Sequence, residues 1–263
     1  MNASRARWLA VPAIIYLVVL FLVPTAIVLG YSLLERDFHG GVVARFSGAA
    51  WQQATDAITL RILTRSVGLA LGVTAVNLLL GYPCAAALAR LPRSQRQALV
   101  VLISFPLITS LLLRTYGWMH LLPTDLRGNI WGVLIVLVFT YLPFMVLPLL
   151  RAYERADAAW LQAALDLGAS PWQAFWRITW PLTRPGMWAG AAMVFIPVMG
   201  EYLAPTFIGN GKVELIGMVV WKQFEQRNWP YAAACAVWLA AIVVTPMVLA
   251  LVWRMRTAGE SRP

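Results

Sequence analysis

This sequence predicts an all-α fold, a polytopic membrane bundle of six helices, and three observations lead there. Of 263 residues, 60% are hydrophobic and 12% charged, with a mean hydropathy of +0.70; a soluble domain would carry about 25% charged residues. Six stretches approach or exceed the roughly 20 apolar residues that cross a hydrocarbon core. The basic residues gather on alternate loops, as they do in multi-pass membrane proteins.

The stretches run in order. Trp8–Leu34 is the first. It is too long for a cleavable signal, and no small-x-small site precedes Glu35 and Arg36, so it reads as a retained anchor helix. Ile62–Ala89, Ala98–Leu122, Ile130–Leu150, Pro185–Ile208 and Tyr231–Trp253 follow. The expected division is therefore 1–61 (a peripheral helix and an outer loop), 62–253 (a core of five helices) and a tail, 254–263. Between the fourth and fifth spans lies a loop, 151–184.

A net charge of +10 reads here as topology. Arg5, Arg7, Arg90, Arg93, Arg96, Arg151, Arg155, Arg177, Arg184, Arg254, Arg256 and Arg262 all fall on one side if the N-terminus is inside. The opposite loops hold Arg36, Arg45, Arg61, Arg127, Lys212, Lys222 and Arg227, offset by six acidic residues. Both termini are therefore expected in the cytoplasm. The charge meets lipid headgroups, and no basic-aromatic interleaving outside the spans points to nucleic acid. Cys84 and Cys235 fall inside spans and read as small core residues, with no disulfide and no metal.

The motifs of several enzyme classes are missing. Gly211-Lys212 is followed by Val213, and Thr206 stands where a phosphate-cradling loop needs its first glycine. No G-x-G-x-x-G, H-E-x-x-H or G-x-S-x-G occurs. No catalytic residue and no bound cofactor are expected, so energy for active transport would come from a partner or an ion gradient.

The loop 151–184 is the most informative stretch. A helix over about Asp157–Leu167 is expected to end at Gly168, the residue type that relieves a left-handed turn. Ser170 can N-cap a second helix, Pro171 suits its first position, and Gln173 completes a capping box. Pro181 is expected to stop that helix after Trp180. Trp172, Phe175, Trp176 and Thr179 recur at i, i+3, i+4, i+7. Such aromatics outside a bilayer need a cover, either the protein's own helix ends or another subunit.

The pattern Gln162-Ala163-Ala164, then Gly168, Ile178 and Pro181, resembles the "EAA" loop of bacterial binding-protein-dependent ABC importer permeases. The resemblance implies a type I importer permease whose loop is a coupling helix docked on an ATPase subunit. On the matching positions, Gln162, Ala163, Ala164, Asp166, Gly168, Ala169, Trp172 and Phe175 would face that subunit. Gln162 stands where the family usually has Glu, and Trp180 where it usually has Leu.

Intramembrane ionisable residues mark function by default, each costing roughly 2.5–3.5 kcal/mol at a helix centre on insertion scales. Glu201 is the clearest, and Pro197, Gly200 and Pro205 around it predict a kinked or broken helix. Three readings are open. Glu201 lines a path and attracts a cation, it pairs with Arg114 or Arg65, or it only reaches the outer interface. Tyr116, Trp118, Tyr141 and Tyr202 share its depth, either as belt anchors or as an aromatic cage for an alkylammonium, worth about 0.5–2 kcal/mol per ring.

The stretches Leu112–Met119, Thr140–Leu150 and Gly186–Pro230, with MVFIPVMGEYLAPTFIG, are similar to the first permease subunit of spermidine/putrescine importers. The outer segment 118–129 is shorter than is usual there. The resemblance implies a path for a small cationic solute, polyamine above all, shared with a second, homologous permease. It also implies two ATPase subunits carrying ATP and Mg²⁺, an extracytoplasmic solute-binding protein, and residence in a bacterial inner membrane. The competing class, a self-sufficient ion-coupled carrier, would need a relay of intramembrane carboxylates or histidines, and Glu201 stands alone.

Overall fold

The computed structural model describes residues 3–155 and 158–260. Asp157, the expected start of the first loop helix, and Arg262 of the tail lie outside the described residues. Two compact units emerge, 1–61 with 219–263, and 62–218. The last helix thus groups with the first, not with the five-helix core expected over 62–253, and the boundaries fall inside two continuous helices.

The first unit opens with α1 (Ala3–Tyr31). A hairpin follows, β1 (Leu34–Arg36) and β2 (Val42–Phe46), antiparallel with Glu35 opposite Val43. This short hairpin stands in an otherwise helical chain. The signal was present in Gly40-Gly41 before two β-branched valines. After α2 (Ala49–Ala54) comes the long α3 (Ala57–Ala89), whose start belongs to this unit. The Tyr31 ring stacks on Trp229, and the Thr59 and Tyr231 hydroxyls lie 2.8 Å apart, which ties both ends of the unit to its closing helix.

The second unit continues α3 and adds α4 (Arg93–Ile108), α5 (Leu111–Leu121) and α6 (Ile130–Arg155). Here the expected third span, 98–122, is corrected. It is two helices bent by 96° at Thr109-Ser110, both residues extended. A break orphans carbonyls at the end of α4. The Pro106 carbonyl collects the Thr109 hydroxyl at 2.9 Å and Arg114 Nη1 at 2.6 Å. Arg114 therefore turns back to the break instead of reaching outward to headgroups.

Next come α7 (Ala158–Asp166), α8 (Pro171–Ala174), a π-helical turn over Phe175–Thr179, and α9 (Trp180–Met199). The unit continues with α10 (Leu203–Phe207) and enters α11 (Ile216–Glu225); α12 (Trp229–Glu260) completes the first unit. Pro181 does not stop the loop helix, as the sequence led one to expect. Proline lacks the N–H that would continue an α-helical ladder, and the π turn widens the helix just ahead of it. The Thr183 hydroxyl donates back to the Thr179 carbonyl at 2.9 Å, and the helix runs on.

The core of this unit is the seam of α6 and α9 with α3. Leu137, Met145, Leu149 and Val194 are fully buried. Gly190 lets the α9 backbone approach, since a β-carbon there would meet Met145 Sδ at 2.8 Å; small residues serve this purpose where membrane helices meet. Tyr82 ties α3 to α9 through a 2.9 Å contact with the Thr183 hydroxyl.

Among the described residues, the helices at 57–89, 130–155 and 229–249 are each long and apolar enough to cross a membrane, and the bent pair α4–α5 makes four. The helices α1 and α9 hold the positions of the other two expected spans.

Candidate functional site

Two places in the chain carry unusual chemistry. The first is the helical pair joining α6 to α9. Gly168 has φ +85°, the left-handed conformation at the turn after α7. The amide of Gly168 donates to the Leu165 carbonyl at 2.9 Å, and that of Ala169 to the Ala164 carbonyl at 3.0 Å, which closes the helix end. Ser170 then opens α8 with the expected reciprocal cap. The Gln173 amide donates to Ser170 Oγ at 3.3 Å, and the Ser170 amide to Gln173 Oε1 at 3.0 Å. Four residues are too few to hold a helix by themselves. The cap and the continuation into α9 hold this one.

The pair buries little of its apolar surface. Trp172 is 69% exposed, Trp160 62% and Leu167 89%. Trp172 stacks on Phe175 at 6.0 Å and meets Trp176 edge-on at 5.6 Å. Phe175 is half-buried and touches Tyr82 edge-on, so the aromatic row is rooted in the bundle at one end and bare at the other. Gln162, Ala163, Asp166 and Gly168 are exposed beside it, and Ala164 and Ala169 are half-buried. The residues expected to dock thus share one loop, and most of them stand open.

The second place is the break between α9 and α10. Glu201 is 5% exposed. Its Oε2 accepts the Tyr141 hydroxyl at 2.7 Å, and Oε1 accepts the amides of Leu203 at 2.9 Å and Ala204 at 3.5 Å. Burial of the charge is offset by one phenol and the free amides at the start of α10. The expected break is present, and it supplies the donors.

No ion pair joins Glu201 to arginine among the described residues. Arg114 is committed to Pro106, and Arg65 is exposed on α3. Of the aromatics expected at this depth, Tyr141 reaches the carboxylate directly. Tyr116 packs on Phe207 at 4.8 Å and Trp118 on Phe139 at 5.1 Å. Tyr202 is half-buried next to Glu201.

Sequence reasoning passed over Asn77, fully buried on α3 with neither side-chain atom partnered. Its signal was a polar residue inside the second apolar stretch. It also passed over the way the arginines at 90–96 and 151–155 line one cavity.

Against known proteins, the family model described as binding-protein-dependent transport system inner membrane component matches residues 77–257. The "Spermidine/putrescine transport system permease protein PotB" of Escherichia coli (strain K12) is 36% identical over 91% of this chain and 93% of the relative. The protein of the same name from Salmonella typhimurium (strain SL1344) is 35% identical over 96% and 94%. Among solved structures, a chain of a bacterial ABC transporter that imports the acidic polysaccharide alginate superposes with a TM-score of 0.65 at 15% identity, covering 97% of this chain and 98% of that one. That likeness shows a shared fold, the importer-permease bundle. With the family model spanning well over half of the sequence, this chain belongs to the inner membrane components of binding-protein-dependent transport systems.

Proposed function

We propose that this chain is one of two permease subunits of an ATP-driven importer and forms, with a second homologous permease, the path for a small cationic solute of the polyamine class. The chain itself binds no cofactor. ATP and Mg²⁺ sit on two ATPase subunits that grip the loop 158–179 from the cytoplasm. Both termini face that side, where the twelve arginines gather. An extracytoplasmic solute-binding protein delivers the solute to the opposite face.

The observation that carries this reading is the bare aromatic row on a capped, glycine-turned helical pair. Large apolar patches on an otherwise finished surface mark a binding face, and the chain has no nucleotide motif of its own. The polyamine class is supported by the names of the relatives and by the buried carboxylate of Glu201. In the state described, that carboxylate is closed off, satisfied by Tyr141 and two amides. Exposing it to a cation requires the α9–α10 break to move. The permease then needs two packings of similar free energy, which its partners bias by binding them unequally.

Uptake measured in proteoliposomes tests the whole reading. The complete complex with its binding protein should accumulate labelled spermidine or putrescine only when ATP is supplied. Uptake by this chain alone, without ATP, would remove the motor from the account. ATP-dependent uptake of basic amino acids, choline-like compounds or anions in place of polyamines would replace the solute.

A further inference from the structure

In the second unit, α3, α4, α6 and the loop helices line an open cavity of about 1450 Å³. Its wall has two characters. Five arginines, Arg90, Arg93, Arg96, Arg151 and Arg155, line it, with Glu154 as the acidic residue among them. That carboxylate is already shared, with Oε1 3.3 Å from Arg96 Nε and Oε2 3.1 Å from Arg151 Nη1. Arg90, Arg93 and Arg155 have no acidic partner among the described residues. The remaining wall is aliphatic and includes Val100, Leu147 and Leu182.

A wall this basic repels a cation, so it is not a resting place for the solute proposed above. Guanidinium forks match phosphate oxygens, and basic pockets between membrane helices take phosphate headgroups. A free phosphate compound would leave the aliphatic half facing water, and a zwitterionic lipid would bring a positive charge to the arginines. We propose that the cavity is a binding site for an anionic phospholipid. Arg90, Arg93 and Arg155 clamp its phosphate, and an acyl chain lies along Val100, Leu147 and Leu182. The walls come from the bundle and from the loop helices alike, through Leu161, Leu165 and Pro171. Such a lipid would tie the docking loop to the bundle. Its binding is independent of which solute is carried.

The test uses the assembled transporter, stripped of lipid in detergent and then given phosphatidylglycerol, phosphatidylcholine or inorganic pyrophosphate. Native mass spectrometry counts what is retained, and thermal unfolding reports stabilisation. Phosphatidylglycerol should be retained and stabilising and phosphatidylcholine neither, with retention about fivefold weaker for each arginine removed in R90Q, R93Q and R155Q. Equal retention of phosphatidylcholine, or unchanged retention in these variants, overturns the site. Stabilisation by pyrophosphate equal to that by phosphatidylglycerol overturns the lipid as its occupant. If R90Q or R155Q does not assemble, retention by R93Q alone still decides.

Discussion

Between α6 and α9 the chain leaves tryptophans bare, while between α9 and α10 it buries a carboxylate. Each region inverts the usual placement of its residue type, and the two resolve the inversion differently. The buried carboxylate finds its donors inside the chain, in a phenol from α6 and the amides that its own helix break sets free. The bare aromatics find one another and, through Phe175 and Trp180, a foothold on Tyr82. A polar anomaly in a membrane interior must be settled within the fold, because lipid offers no hydrogen bonds. An apolar anomaly outside it can wait for a partner.

The strongest way to break the contrast is to disable the region that waits. Phe175→Asp, or Gly168→Pro at a φ that proline cannot adopt, should cut co-purification of the ATPase by about tenfold or more, as for loss of a central aromatic anchor. Membrane insertion should be unaffected, and normal recovery of the ATPase would remove the docking surface.

Next in size is the region that is already settled. Tyr141→Phe takes a donor from a buried carboxylate and should destabilise the purified transporter by about 1.5–3 kcal/mol in thermal unfolding. Glu201→Gln keeps one acceptor oxygen for the Leu203 amide and turns the other position into an NH2 that can donate to the Tyr141 hydroxyl, so it should cost less stability than Tyr141→Phe while lowering polyamine uptake more than assembly. Unchanged uptake with a lowered melting temperature would make Glu201 purely structural.

Smallest is Ser170→Ala, which removes one half of the capping box at about 1 kcal/mol. It should weaken ATPase recovery modestly without altering α9. An effect as large as that of Phe175→Asp would show that the cap, not the aromatic row, sets the docking surface.

What could be read from the sequence follows the range of the forces involved. Gly168 and the Ser170–Gln173 cap were legible because each involves residues at most five apart. The break at Glu201 was legible from Pro197, Gly200 and Pro205, but the carboxylate's partner was not, since Tyr141 is 60 residues away. The kink at Thr109-Ser110 had a local sign in Pro106 three residues before it, but the rescue of that carbonyl by Arg114 from the next helix had none. Pro181 misled because a proline is read as a stop by its missing N–H, whereas here it follows a widened turn and the helix continues through it. The hairpin at 34–46 was hidden by attention to spans, although its paired glycines were visible.

From Pro171 to Met199 the backbone is helical throughout, with the swollen turn at 175–179 as its only irregularity. At about 1.5 Å per residue, that is a strut of about 40 Å. One tip carries Trp172, and the other ends at the peptide before Glu201. The swollen turn and Pro181, Pro185 and Pro197 are where such a strut bends, so a shove delivered to the tryptophan end reaches the carboxylate end through one unbroken but pliable element.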